Sequence, residues 1–133
     1  MSEEKKIKVV LLEPGKLART AEIGTSIEDL QNAVDGLIEP FYPFEEQVCI
    51  VCNDEGKVNG MLPNRSVKNK DGVMVDFIFG PAFICDCRGE SFDSLSDEQI
   101  ARYTKMFRYP EHLARLNGKL IGIPFNPQRE HER

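Results

Sequence analysis

Residues 7–23, IKVVLLEPGKLARTAEI, read as a strand, a tight reversal and a second strand. Ile7 to Leu12 is a run of β-branched residues and leucines that stops at Pro14-Gly15. Proline presets φ for a turn and glycine accepts positive φ, so the chain doubles back there. Leu17 to Ile23 then pairs with the first run as a hairpin, and this predicts a mostly antiparallel sheet.

Working outward, Gly24 stops the second strand and Thr25 or Ser26 offers an N-cap worth about 1 kcal/mol to the helix that follows. Ile27, Leu30, Val34 and Leu37 recur at spacings of three and four, which predicts a helix from Ile27 to Val34 capped by a left-handed Gly36. Leu37 to Tyr42 and Gln47 to Cys52 follow as strands around a turn at Pro43, Glu45 and Glu46. Val73 to Phe79 and Ala82 to Cys87 are apolar runs joined by Gly80-Pro81; the second reads as a buried strand, the first as a strand or a short helix. Ser96 with Gln99 has the form of a capping box, opening a second helix with the stripe Ile100, Tyr103, Met106 and Phe107. Tyr109-Pro110 ends that helix, and EHLARLNG is expected to add a short turn before the polar tail PQREHER. The expected architecture is α+β: a single domain over 7–117, with a mostly antiparallel sheet and two main helices packed on it. Residues 1–6 are expected to be disordered and 118–133 to form a mobile C-terminal extension.

A chain of 133 residues with 41% hydrophobic and 29% charged residues is long enough and apolar enough for one packed core. The net charge of -5, from 22 acids and 17 bases, argues against a nucleic-acid groove, and no acidic run is long enough for a DNA mimic. The apolar run near the N-terminus is too short for a signal peptide or a membrane span, so a cytoplasmic protein with reduced cysteines and no membrane partner is expected.

Cys49, Cys52, Cys85 and Cys87 spell CxxC and CxC, a set that four-thiolate zinc could use. Both pairs lie in strand-like runs without a knuckle glycine, and strand alternation points Cys49 and Cys52 to opposite faces. They read instead as small buried hydrophobes, with no metal and no cofactor expected. The two histidines, His112 and His131, lie near the C-terminus, far in sequence from any cysteine or serine they would activate. The fragments PGK (14–16) and NGK (117–119) lack the spacing of a phosphate-binding loop, and Asp54 and Glu55 are adjacent turn residues that point apart.

Residues 52–65, CNDEGKVNGMLPNR, hold two turn signals, Asn53-Asp54-Glu55-Gly56 and Asn59-Gly60, followed by Asn64-Arg65. A loop bent twice exposes amides to an anion, and an arginine fork suits phosphate or carboxylate. The candidate ligand-binding residues are therefore Asn53, Gly56, Asn59, Gly60, Asn64 and Arg65. The alternative is that Asn64 and Arg65 tie the loop down by bonding its own carbonyls. The two readings part on Arg65→Ala, which abolishes binding at an unchanged thermal midpoint in the first and lowers the midpoint strongly in the second.

LLEPGK (11–16), IEDLQNAVDGLIEP (27–40), CNDEGKVNGMLPNR (52–65) and SLSDEQIARYTKMF (94–107), in this order, resemble the bacterial and phage family of domain of unknown function 3846 over roughly Ile7 to Phe107. The resemblance implies a phage or mobile-element setting and carries no chemistry of its own. The expected function is a small non-enzymatic binding protein that counteracts host defence, by sequestering a small anionic or nucleotide-like ligand or by occupying a host protein. A structural interaction module, homo-oligomeric or with a patch of Phe41, Tyr42 and Phe44, is one alternative. An accessory enzyme of nucleotide metabolism is another, and would need Asp76 or Asp86 beside Arg65.

Overall fold

The protein is described by a computed structural model covering residues 5–130. β1 (Lys6–Leu12) and β2 (Arg19–Gly24) form the expected hairpin, with Lys16 N–H donating to Glu13 O at 3.2 Å across Pro14-Gly15. α1 (Ile27–Val34), β3 (Ile38–Phe41) and β4 (Val48–Asn53) follow. β5 (Pro63–Lys68), β6 (Met74–Phe79), β7 (Ala82–Asp86), α2 (Asp97–Met106), β8 (Glu111–Leu116), β9 (Lys119–Pro124) and the four-residue α3 (Pro127–Glu130) complete the order. Five strands make one sheet in the order β2-β1-β7-β4-β3, and β5–β6 and β8–β9 are separate two-stranded ladders. Every ladder among the described residues is antiparallel, which makes the fold α+β.

The sheet is covered on both faces, which is why its central strands read as unbroken apolar runs. Ile7, Val9, Leu11, Cys49, Val51, Phe83 and Cys85 pack with Leu30 and Val34 of α1 on one side. The alternate residues Val10, Leu12, Val48, Ile50, Ala82 and Ile84 pack on the other side with Tyr103 and Phe107 of α2 and with Val67 and Ile78 of the β5–β6 hairpin. The two helices thus lie on opposite faces. The capping box of α2 is present, with Ser96 Oγ accepting from Gln99 N at 3.1 Å and Ser96 N donating to Gln99 Oε1 at 2.9 Å.

Three expectations differ from the structure. The left-handed cap of α1 is Asp35, at φ 61°, and Gly36 serves a close approach instead: a Cβ there would sit 2.5 Å from Asn53 Nδ2. EHLARLNG forms strand β8 rather than a turn, and residues 119–124, expected in a mobile extension, pair with it from Leu116↔Lys119 to Glu111↔Pro124. The cause is Asn117-Gly118, both at positive φ (51° and 79°), the two-residue hairpin turn whose twist matches its strands. Of the segment expected to be disordered, Lys6 already belongs to β1 and residues 1–4 lie outside the described residues, as does His131. A further difference is β5, a strand without an apolar pattern, and it carries Asn64 and Arg65.

Candidate functional site

The sequence candidates fall into three environments. Asn53 ends β4 and is buried; its Nδ2 donates to Val34 O at 3.1 Å and Asp35 O at 3.0 Å, satisfying the last carbonyls of α1, and its Oδ1 accepts from Glu55 N at 2.8 Å. Gly56 lies under the β6 terminus, where a Cβ would meet Phe79 O at 2.5 Å. Asn59 and Gly60 sit on an exposed tip. The amides envisaged for an anion are engaged within the loop: Gly56 N donates to Asn53 O, Asn59 N to Glu55 O, Gly60 N to Lys57 O and Met61 N to Gly56 O.

Asn64 and Arg65 are both 0% exposed. The β5–β6 register runs from Pro63↔Phe79 to Arg65↔Ile78, so Asn64 is the extra residue of a bulge, and a bulge re-aims the side chains beside it. Asn64 Nδ2 donates to Leu12 O at 3.0 Å and Gly80 O at 2.8 Å. Arg65 donates from Nε to Phe107 O (2.6 Å), from Nη1 to Asn64 Oδ1 (2.6 Å) and Glu13 O (3.2 Å), and from Nη2 to Lys16 O (2.6 Å) and Arg108 O (3.4 Å). Those carbonyls belong to the β1–β2 turn and to the C-terminal end of α2, where a cation also complements the helix dipole. Burial pulls the Arg65 pKa down to about 10, opposed by Glu111 and Glu13, so the group stays charged at neutral pH. The pair is a clasp inside the fold and presents no donor to a ligand.

The chain does enclose a cleft of about 860 Å³ on the α2 side of the sheet. Arg102, Tyr103, Met106 and Phe107 of α2 form one wall, and Phe44 to Glu46 of the β3–β4 turn form another. Ser66 and Lys68 of β5, Lys70 of the β5–β6 turn and Glu111 of β8 close it. Phe44 packs on Tyr103 with centroids 4.7 Å apart and on Phe107 at 6.2 Å, which gives the cleft an aromatic side. Polar groups converge on the rest. Glu46 accepts from the Tyr103 hydroxyl in a short bond, from Arg102 Nη1 at 2.6 Å and from Gln99 Nε2 at 2.9 Å. Glu111 Oε1 accepts from Ser66 N at 3.0 Å, and Ser66 Oγ is buried with no hydrogen-bond partner among the described residues.

The Glu46 carboxyl is held below the usual glutamate range, first by the Tyr103 hydroxyl and then by Gln99 and Arg102, against an opposing desolvation. Burial, and then the bond to Glu46, pushes the Tyr103 hydroxyl up. A depressed carboxyl pKa contributes stability above the unfolded-state value and loses it as pH falls through the folded value, so this clasp of turn to helix weakens below about pH 4. In Tyr103→Phe, a carbon-13 titration of the side-chain carboxyls should find Glu46 ionising at higher pH; an unmoved midpoint would assign the effect to Arg102 and Gln99.

The other candidates do not join this cleft. Cys49 and Cys85 face each other across β4 and β7 with sulfurs 3.8 Å apart, while Cys52 packs on the opposite face of the sheet. Contact with Cys49 and burial push the Cys85 thiol up, and burial pushes Cys52 and Cys87 up to about 11, so these three thiols stay protonated near neutrality. Among the described residues no three His, Cys, Asp or Glu side chains converge as a metal site. Asp76 binds Lys57 at 3.0 Å and Asp86 binds Arg88 at 2.7 Å, so neither lies beside Arg65 as an enzyme reading would need. Phe41 and Phe44 pack against the core and only Tyr42 of the aromatic trio is well exposed.

No sequence motif marks the cleft, because its walls come from segments centred near residues 45, 68, 104 and 111. The family described as domain of unknown function (DUF3846) matches residues 7–108, a span that contains every wall of the cleft except Glu111. Neither the curated proteins nor the solved structures yield a match. No helix among the described residues is long and apolar enough to cross a membrane.

Proposed function

We propose, from the premise that the chain belongs to the DUF3846 family, that it is a non-enzymatic binding protein whose site is the cleft beside α2 and whose ligand is small, anionic and nucleotide-like. The observation that carries this reading is the cleft itself: its volume of about 860 Å³ lies in the range of small-molecule sites, and it combines an aromatic side with a few convergent polar groups. An anion at the mouth would be met by Lys68. Glu45 pairs with Lys70 and Glu46 with Arg102, which leaves Lys68 and Glu111 without ion-pair partners among the described residues. Phe44, half-buried in the cleft wall and backed by Tyr103, offers a face on which a planar base stacks. In the phage or mobile-element setting that the family resemblance suggests, holding such a ligand would withhold it from a host defence.

The middle loop is a poorer site, because its buried polar side chains and most of its amides already have partners in the fold. Native mass spectrometry of the protein purified from cells that encode it tests the proposal. The expected result is a retained small anionic species that Lys68→Glu or Phe44→Asp loses. An empty chain, or retention unaffected by both changes, contradicts it.

A further inference from the structure

We propose that the cleft selects a guanine base, read by Glu111 and Ser66, with the phosphate of the nucleotide at Lys68. This rests on the cleft being a nucleotide-like ligand site. Two features at the β5–β8 wall go beyond that reading. Glu111 uses Oε1 to accept the amide of Ser66 at 3.0 Å, and Oε2 has no hydrogen-bond partner among the described residues, so a carboxylate fixed in orientation keeps an acceptor free. Ser66 is 5% exposed and its Oγ is buried without a partner, a condition that native proteins seldom leave standing unless water or a ligand completes it.

The chemistry of these two groups sorts the bases. Guanine presents, in order along one edge, an amino donor, a ring N–H donor and a carbonyl acceptor. A carboxylate takes the two donors and a hydroxyl donates to the carbonyl, so every group on both sides is satisfied. Adenine turns a ring-nitrogen lone pair toward the carboxylate, and hypoxanthine lacks the amino donor. Xanthine replaces that donor with an oxygen that the carboxylate repels. Lys68 stands two residues from Ser66 along β5, about 7 Å on, and its long stem extends the reach to a phosphate beyond the ribose. Phe44, packed on the buried Tyr103 behind it, supplies the stacking surface between the two ends.

The test is calorimetric titration of the full chain with the 5′-monophosphates of guanosine, inosine, xanthosine and adenosine. The expected order has guanosine monophosphate tightest, by about tenfold or more over each of the others, since a site built to hydrogen-bond a group rejects analogues lacking it. Glu111→Gln keeps an oxygen for the Ser66 amide but presents an amino group to the base, and should weaken guanosine monophosphate and strengthen adenosine monophosphate, so that the preference is lost. Ser66→Ala should weaken guanosine monophosphate while leaving the thermal midpoint equal or higher, because it deletes an unpartnered hydroxyl. Equal binding of all four nucleotides that Lys68→Glu abolishes overturns the guanine assignment and spares the ligand reading. No binding of any nucleotide overturns both. Loss of midpoint in Ser66→Ala with unchanged affinity makes the hydroxyl part of the fold and overturns its role in recognition.

Discussion

Replacing Arg65 with alanine should lower stability by about 3–5 kcal/mol, a fall in thermal midpoint on the order of 10–20 °C for a chain of this size. The size follows from what the side chain holds. Its guanidinium has five N–H groups, and the structure gives it five acceptors: four backbone carbonyls, of Glu13, Lys16, Phe107 and Arg108, and the side-chain oxygen of Asn64. Truncation removes the donor of the Lys16 and Phe107 carbonyls and of Asn64 Oδ1, opens a cavity at a fully enclosed position, and leaves the β1–β2 turn tied to the end of α2 mainly by the Ala18 amide on Arg108 O. Arg65→Lys should recover less than half of the loss, since an ammonium on a flexible stem cannot span five acceptors spread around a planar fork. Urea denaturation of the three proteins measures this. A loss below about 1 kcal/mol in Arg65→Ala would mean that the clasp does not form.

Asn64→Ala should cost about 2–4 kcal/mol by the same logic at its neighbour. The amide donates to Leu12 O at the end of β1 and to Gly80 O between β6 and β7, so it joins the bulged strand β5 to the paired ends of the central strands β1 and β7. It also gives Arg65 Nη1 a 2.6 Å acceptor. Two residues in one network are not independent. The Asn64→Ala, Arg65→Ala double variant should therefore lose about 1 kcal/mol or more less than the sum of the single losses. Additive losses would show that the two side chains act separately and that the bulge is held by something else.

These expectations follow the tie-down reading of Asn64 and Arg65, with acceptors that lie mostly outside their own loop. Polar residues following a turn-rich loop look like a surface site, because charged side chains are rarely fully buried and the exceptions depend on partners that no local pattern reveals. Those partners, Glu13, Lys16, Phe107 and Arg108, are more than 40 residues away. For the same reason β5 left no strand signal: its inward positions are Asn64, Arg65 and Ser66, and only Val67 is apolar. The most plainly legible strands, β1, β4 and β7, are those buried on both faces, where apolar residues run without interruption; β2 and β3 were legible from the turn and stop residues that bound them. The α1 N-cap at Ser26 and the α2 capping box were legible because both rest on contacts three residues apart.

The C-terminal hairpin had a local signal in Asn117-Gly118, which makes its tight turn, but β8 and β9 are half-exposed and carry no clean alternation. The cleft had none. Phe44, Lys68, Tyr103 and Glu111 come to line one cleft only because β5 is bonded to the end of α2 through Arg65 and to β8 through Glu111.

The location of the ligand site is tested most directly by recording amide nitrogen–proton correlation spectra of the labelled protein during titration with guanosine monophosphate. A ligand site in the cleft gives saturable shifts at Phe44, Ser66, Lys68, Tyr103 and Glu111, with Asn59 and Gly60 unmoved. Shifts centred on residues 53–62, or none at millimolar nucleotide, would contradict it.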